Sequence, residues 1–260
     1  MNIKKFFNNI FNIYLSNIDK NLYSPLLILS ILVFLTIFIH LVFWILNYTF
    51  TNNLWIHGSN PITLDKLLSP GIDGGYFEHF QYIILFWNFL LSIYVVIRSK
   101  LFAAFSVPII NLFLFLDDSL SIHDQFSPDK ITSHFNNYFV GSNLANFIRL
   151  KDIIEISYWS LFLFIFLILS IPIIFTKSRH SKNFLKINIL NYGILAFFGI
   201  GVDLFNANII KYFNFDLFLQ KFIYNIFFLI EECGELGVIS LIFIWLFGLS
   251  CTNKYLLTKK

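Results

Sequence analysis

Charge is what this sequence lacks most. Asp, Glu, Lys and Arg fill 13% of its 260 residues, about half the roughly 25% of an ordinary soluble domain. That shortage excludes a protein whose whole surface faces water. Two cysteines, Cys233 and Cys251, are too few and too far apart for a disulfide framework or a thiolate metal site. No glycine-rich loop follows a strand-like run, which argues against a P-loop or dinucleotide fold. The Glu-x-x-His pair of soluble diiron bundles is missing, and so is the His-x-x-x-His spacing of zinc-dependent ceramide-type membrane hydrolases. Net charge is only +3, and no segment looks like a groove-filling or base-reading element, so nucleic acid is not an expected partner. The basic start of the chain is not followed by a small-residue cleavage site, and an uncleaved anchor is expected.

What the chain has instead is apolar length: 57% hydrophobic and 20% aromatic residues. The charges crowd into short segments and leave six long runs between them. These lie at 25–48, 78–97, 101–116, 155–176, 187–208 and 222–249. A helix needs about 20 residues to cross about 30 Å of hydrocarbon. The third run reaches only about 24 Å as a helix, so it must continue through the acids that follow, or be met by local tilt and thinning. The expected fold is all-α, a polytopic bundle of six spans. Residues 1–24 form an amphipathic cytoplasmic segment, 25–249 the transmembrane domain and 250–260 a basic tail. Pro108 and Pro172 are candidate kinks. Twelve of the eighteen basic residues fall on the side that holds both termini. The positive-inside rule therefore puts both ends in the cytoplasm, with a bacterial inner membrane as the expected location.

Acids and histidines concentrate toward the opposite side. His40 is in the first span; Glu78 and His79 open the second; Asp117, Asp118, His123 and Asp124 close the third. Glu155 opens the fourth, and Asp203 is late in the fifth. Glu231, Glu232 and Glu235 stand about 13 to 20 Å along the sixth. Acids at helix entrances can rest among headgroups or cap helix starts, and this accounts for Glu78 and Glu155. It accounts poorly for three glutamates within five residues of an apolar helix, where each costs several kcal/mol unless it faces protein, water or a cation. Their i,i+3 and i,i+4 spacings make one polar face. Gly234 and Gly237 would let another helix approach it. No Lys or Arg lies in the outer halves of the spans, which leaves protons or divalent cations to offset the repulsion. Asp117, Asp118, His123, Asp124, Glu231, Glu232 and Glu235 form an oxygen-rich, nitrogen-containing set suited to iron, manganese or zinc. Asn88 and Asn111 read as interhelical glue, while Asn191, Asn206 and Asn225 are candidates to join the polar network.

The strings LDDSLSIHD and EECGELG resemble segments of an uncharacterised group of bacterial multi-pass membrane proteins. In that group an acidic pair precedes a His-acid pair on one helix, and a Glu-Glu-x-x-Glu run lies on the last. The resemblance spans about residues 78–248 and implies a helical membrane protein without implying an activity. Three functions remain open. One is a metal-dependent enzyme acting on a lipid or hydrophobic substrate at the outer leaflet, with one acid left as a base. Another is a proton- or cation-coupled transporter, although the inner halves lack matching ionisable groups and no inverted repeat is evident. The third is a non-catalytic subunit of a membrane complex. The sequence leaves the oligomeric state open.

Overall fold

The computed structural model describes residues 18–51, 75–120, 122, 150–212 and 217–252. A 3-10 turn, Lys20–Leu22, leads into α1 (Tyr23–Thr51); α2 is Tyr76–Arg98. A second 3-10 turn, Phe102–Ala104, precedes α3 (Ser106–Ser119). Then come α4 (Leu150–Ser170), the short α5 (Pro172–Phe175) and α6 (Arg179–Ala196). A π-helical stretch, Phe197–Val202, joins α6 to α7 (Asp203–Tyr212), and α8 (Leu217–Cys251) is the longest helix. Six of the described helical stretches are long and apolar enough to cross a membrane: Lys20–Ile39, Tyr76–Arg98, Phe102–Ser119, Ile156–Phe175, Arg179–Asn206 and Phe222–Cys251. The chain is a polytopic, all-helical membrane protein.

Local chemistry explains where the helices start and stop. Beyond Arg98, the Lys100 N–H donates to Ile97 O at 3.2 Å and the Leu101 N–H to Val96 O at 2.8 Å. This is a Schellman ending, with Lys100 at φ 53° in the left-handed position usually given to glycine. Leu101 and Val96, both buried, make the accompanying apolar contact. Pro108 lies in the first turn of α3, where a missing N–H breaks no hydrogen bond. Pro172 does interrupt the fourth span. The helix breaks at Ile171 and restarts with Pro172 in its first turn. The third span gains its length by running one turn through the acids and closing at Ser119, with the Leu120 N–H on Leu116 O at 3.0 Å.

The helix α8 is the hub, touching α1, α2, α6, α7 and the π-helical stretch, while α2 and α3 form a close hairpin. Two apolar clusters fill the interior. One gathers Val96, Leu101, Val107, Phe184, Ile242 and Leu246 near the Arg98 end of the bundle. The other gathers Phe77, Leu85, Leu114, Leu236 and Ile239 toward the opposite end. The outer surface is more apolar than a soluble protein allows: Phe34 on α1 is 74% exposed and Phe164 on α4 is 61% exposed. Polarity moves inward instead, with Asn88, Asn111, Asn188 and Asn191 all buried. Lipid offers no hydrogen bonds, so amides turn to the places where helices meet, although the Oδ1 atoms of Asn88 and Asn188 find no hydrogen-bond partner among the described residues.

Three of these bonds tie the centre of the bundle together. The Asn88 amide donates to Ile239 O of α8 at 3.0 Å. The Asn111 amide donates to Asn88 O at 3.4 Å. From α6, the Tyr192 hydroxyl donates to Asn111 Oδ1 at 3.0 Å. Asn88 and Asn111 are therefore interhelical glue, as their positions in the sequence suggest. Asn88→Ala is expected to lower unfolding stability by about 1 kcal/mol, the scale of one interhelical hydrogen bond in a membrane. Leu90→Ala, on the lipid-facing side of the same helix, is expected to cost less. Thermal unfolding in matched detergent compares them, and an equal loss would deny the amide its tying role.

Candidate functional site

The acids stand well away from the Arg98 end. There the Arg98 guanidinium donates to the Ser250 carbonyl, locking the end of α2 against the end of α8. Measured back from Ser250, Glu235 is fifteen residues and Glu231 nineteen residues along α8, or about 22 and 28 Å. Across a hydrocarbon core of about 30 Å, Glu231 would reach the far margin and Glu235 would sit about one turn inside it. Gln81 on α2 comes to the same level, seventeen residues or about 26 Å from Arg98. Asp118 arrives there because α3 ends one residue later.

Glu235 is the centre of the cluster. The Gln81 side-chain amide, itself buried, hydrogen-bonds to its carboxylate, and the charges of Glu232, Asp118 and Glu231 act on it. Gln81 is the attractive contact in this set. The others are like charges, and the described interactions of Glu235 include no Lys or Arg. Carboxylates held together in so poor a solvent are relieved by shared protons or by a cation.

The other wall is built from glycine. A Cβ at Gly199 would overlap the Glu235 carboxylate oxygen, and a Cβ at Gly234 would overlap the ring of Phe198. The two helices thus interlock, with a bare backbone on one side receiving the acid and on the other receiving the aromatic ring. Both Gly199 and Phe198 belong to the π-helical stretch, a geometry that recurs at functional sites because its extra residue re-aims the side chains around it. Of the glycines expected to admit a neighbour, Gly234 does so, whereas a Cβ at Gly237 would meet nothing within 4 Å.

The adjacent Asp117 and Asp118 face different neighbours. Asp117 is buried and accepts a hydrogen bond from the Tyr158 hydroxyl of α4 at 2.5 Å. Asp118 is the member of the pair whose charge reaches Glu235. Successive residues of a helix point about 100° apart, so one pair serves two interfaces. At the start of α2, Glu78 accepts from the Tyr82 hydroxyl. His79 is exposed, and its Nδ1 lies 2.8 Å from Gly75 O; both are engaged within their own helix. Asp203 opens α7 just beyond the π-helical stretch. His123 and Asp124 lie outside the described residues, as do the side chains of His40 and Glu155. Among the described residues no three His, Cys, Asp or Glu side chains form a group that could hold a metal ion.

Gln81, Gly199 and Tyr158 complete the surroundings of the acids without having been expected from the sequence. The signal for Gly199 was the Gly-x-Gly of FFGIGV, two glycines in an otherwise bulky span. Gln81 and Tyr158 carried none, because an amide or phenol in an apolar helix is as often glue as site. No family model, curated protein or solved structure matches the chain.

Gly234→Ala is expected to destabilise the protein by about 1–3 kcal/mol, the usual cost of overpacking, because its Cβ would overlap the Phe198 ring. Gly237→Ala, with open space at its Cβ, is expected to be tolerated. Thermal unfolding in detergent separates the two, and a harmless Gly234→Ala would contradict the close fit described for Phe198.

Proposed function

We propose that Asp118, Glu231, Glu232 and Glu235, which by themselves do not form a group that could hold a metal ion, become a cation-binding centre together with donors that follow α3 in the sequence, and that the protein is a metal-dependent membrane enzyme acting on a lipid or other hydrophobic substrate. The observation carrying this reading is that the charges of Asp118 from α3 and of Glu231 and Glu232 from α8 all act on the Glu235 carboxylate. Like charges acting on a carboxylate whose described interactions include no Lys or Arg are relieved by a shared proton or by a bound cation. Asp117, one residue from Asp118, accepts a hydrogen bond from the Tyr158 hydroxyl and remains among the donors this reading proposes. His123 and Asp124 follow Asp118 by five and six residues in the sequence and are the further donors this reading recruits. Iron, manganese and zinc suit such a mixed oxygen and nitrogen set. The bound ion would polarise a substrate oxygen or activate a water, with a remaining carboxylate as base. Both termini are proposed to be cytoplasmic in a bacterial inner membrane, which turns the acids toward the outer leaflet. The two motifs would make the chain one of a group of bacterial membrane proteins sharing them.

Metal analysis of protein purified in detergent is expected to return a stoichiometric divalent ion. Asp118→Asn, Glu235→Gln and His123→Ala should each deplete it while the helical content is kept. Metal-free protein that stays fully functional in its native lipid would refute the enzyme reading.

A second reading, proton- or cation-coupled transport, draws on the buried amides deeper in the bundle. Gln81 meets Glu235, and Asn88, Asn111, Asn188 and Asn191 lie further toward the Arg98 end, all buried. Such a column supplies polar groups along a stretch that has no ionisable ones. Under this reading, sealed proteoliposomes pass protons or small cations, and Glu232→Gln or Glu235→Gln abolishes the flux. Liposomes no leakier than protein-free controls would dismiss it. A third reading, an assembly subunit, predicts that the same variants change the mass of a complex while leaving turnover and flux unmoved.

A further inference from the structure

The opposite end of the bundle carries a second concentration of charge. Its described cations are Lys20, Arg98, Lys100, Lys177, Arg179, Lys182 and Lys186, and its described carboxylate is Asp19. Asp19 accepts the Asn21 N–H at 3.1 Å, capping a local turn. The adjoining stretches 1–17 and 253–260 contain no Asp or Glu in sequence, so the surplus is not offset by the chain on either side.

Three of these cations share one edge. The 3-10 turn Phe102–Ala104 touches both α5 and α6. This contact brings the α2–α3 turn, which carries Lys100, beside the α5–α6 turn, which carries Lys177 and Arg179. Both turns also present large apolar side chains to the exterior: Phe102 is 62% exposed, Ile174 69% and Phe175 81%. Exposed charges close to exposed apolar and aromatic side chains are the profile of a membrane interface. Two further features mark the edge. Lys100 holds a left-handed backbone, φ 53°, where glycine is the usual occupant. Arg179 is the first residue of α6, whose first turn has no acid, so a positive side chain stands at the positive pole of the helix.

We propose that Lys100, Lys177 and Arg179, with Phe102, Ile174 and Phe175 beneath them, form a docking site for an anionic phospholipid. The phosphate takes the cations, and the acyl chains lie against the exposed apolar side chains. Charge complementarity selects this occupant, because a zwitterionic headgroup brings no net charge to the surplus. The apolar neighbours select a lipid phosphate over a soluble one. The site is independent of the carboxylate centre and stands whether or not that centre binds a metal.

The test is lipid retention by the full-length protein, read by native mass spectrometry from micelles doped with phosphatidylglycerol or phosphatidylcholine. Wild type should retain phosphatidylglycerol preferentially. Each cation removed should weaken that retention about fivefold, the scale of one basic residue at an anionic surface. Lys100→Gly removes a charge while giving the left-handed position its preferred residue, so this variant keeps its fold. Arg179→Gln removes a second charge, and Lys20→Gln, outside the proposed trio, should leave retention unchanged. Equal retention of the two lipids would overturn the proposal. So would an equal loss from Lys20→Gln, which would indicate diffuse attraction, or complete displacement by millimolar inorganic phosphate, which would indicate a soluble anion.

Discussion

The Glu235 carboxylate, wedged between the bare backbone of Gly199 and the amide of Gln81, is the contact on which the arrangement of this end of the bundle turns. It joins the longest helix to α2 and to the π-helical stretch at once. It does so with a group that would be cheaper to leave in water. A carboxylate held there keeps its neighbours in place, because each supplies either room or a hydrogen bond. The π-helical stretch presents Gly199 to Glu235 and Phe198 to Gly234 together.

Around that contact, the protein handles polarity in two ways. Deeper in the bundle, amides and hydroxyls pair with carbonyls of neighbouring helices, as Asn88 does with Ile239 and Tyr192 with Asn111. These are neutral bonds of modest worth, adequate to register helices that lipid does not push together. At the level of Glu235 the groups are acids, and like charges meet where the neutral bonds stop. The change from neutral hydrogen bonding to like-charge repulsion is the strongest physical reason to regard that level as a site. Glu78 and His79 show the contrast: each is acidic or basic, yet each is engaged within α2 and contributes a helix start instead of a centre.

The two ends of the molecule are electrostatic opposites. The Arg98 end holds cations beside exposed aromatics, and the far end gathers acids. Such a dipolar layout orients a bundle in a membrane and presents each leaflet with different chemistry. The left-handed Lys100 and the Arg179 at the start of α6 are unusual choices on local grounds, and both fall on the same edge.

The sequence by itself determined the solvent, the class of fold and the residues whose presence demands explanation. Six apolar runs of membrane length, charges confined between them and three glutamates within a span are one-dimensional facts with direct energetic meaning, and the described helices follow them closely. The role of Asn88 and the approach permitted by Gly234 were legible for the same reason. Tertiary structure alone decided how the acids are shared out: that Asp118 faces Glu235 while Asp117 turns to Tyr158, that Gly199 and not Gly237 makes the close approach, and that Gln81 supplies the hydrogen bond. A helix's sequence shows which residues lie on a common face. Which neighbour that face meets depends on the rotation and depth of a second helix, and these follow from packing summed over the whole bundle.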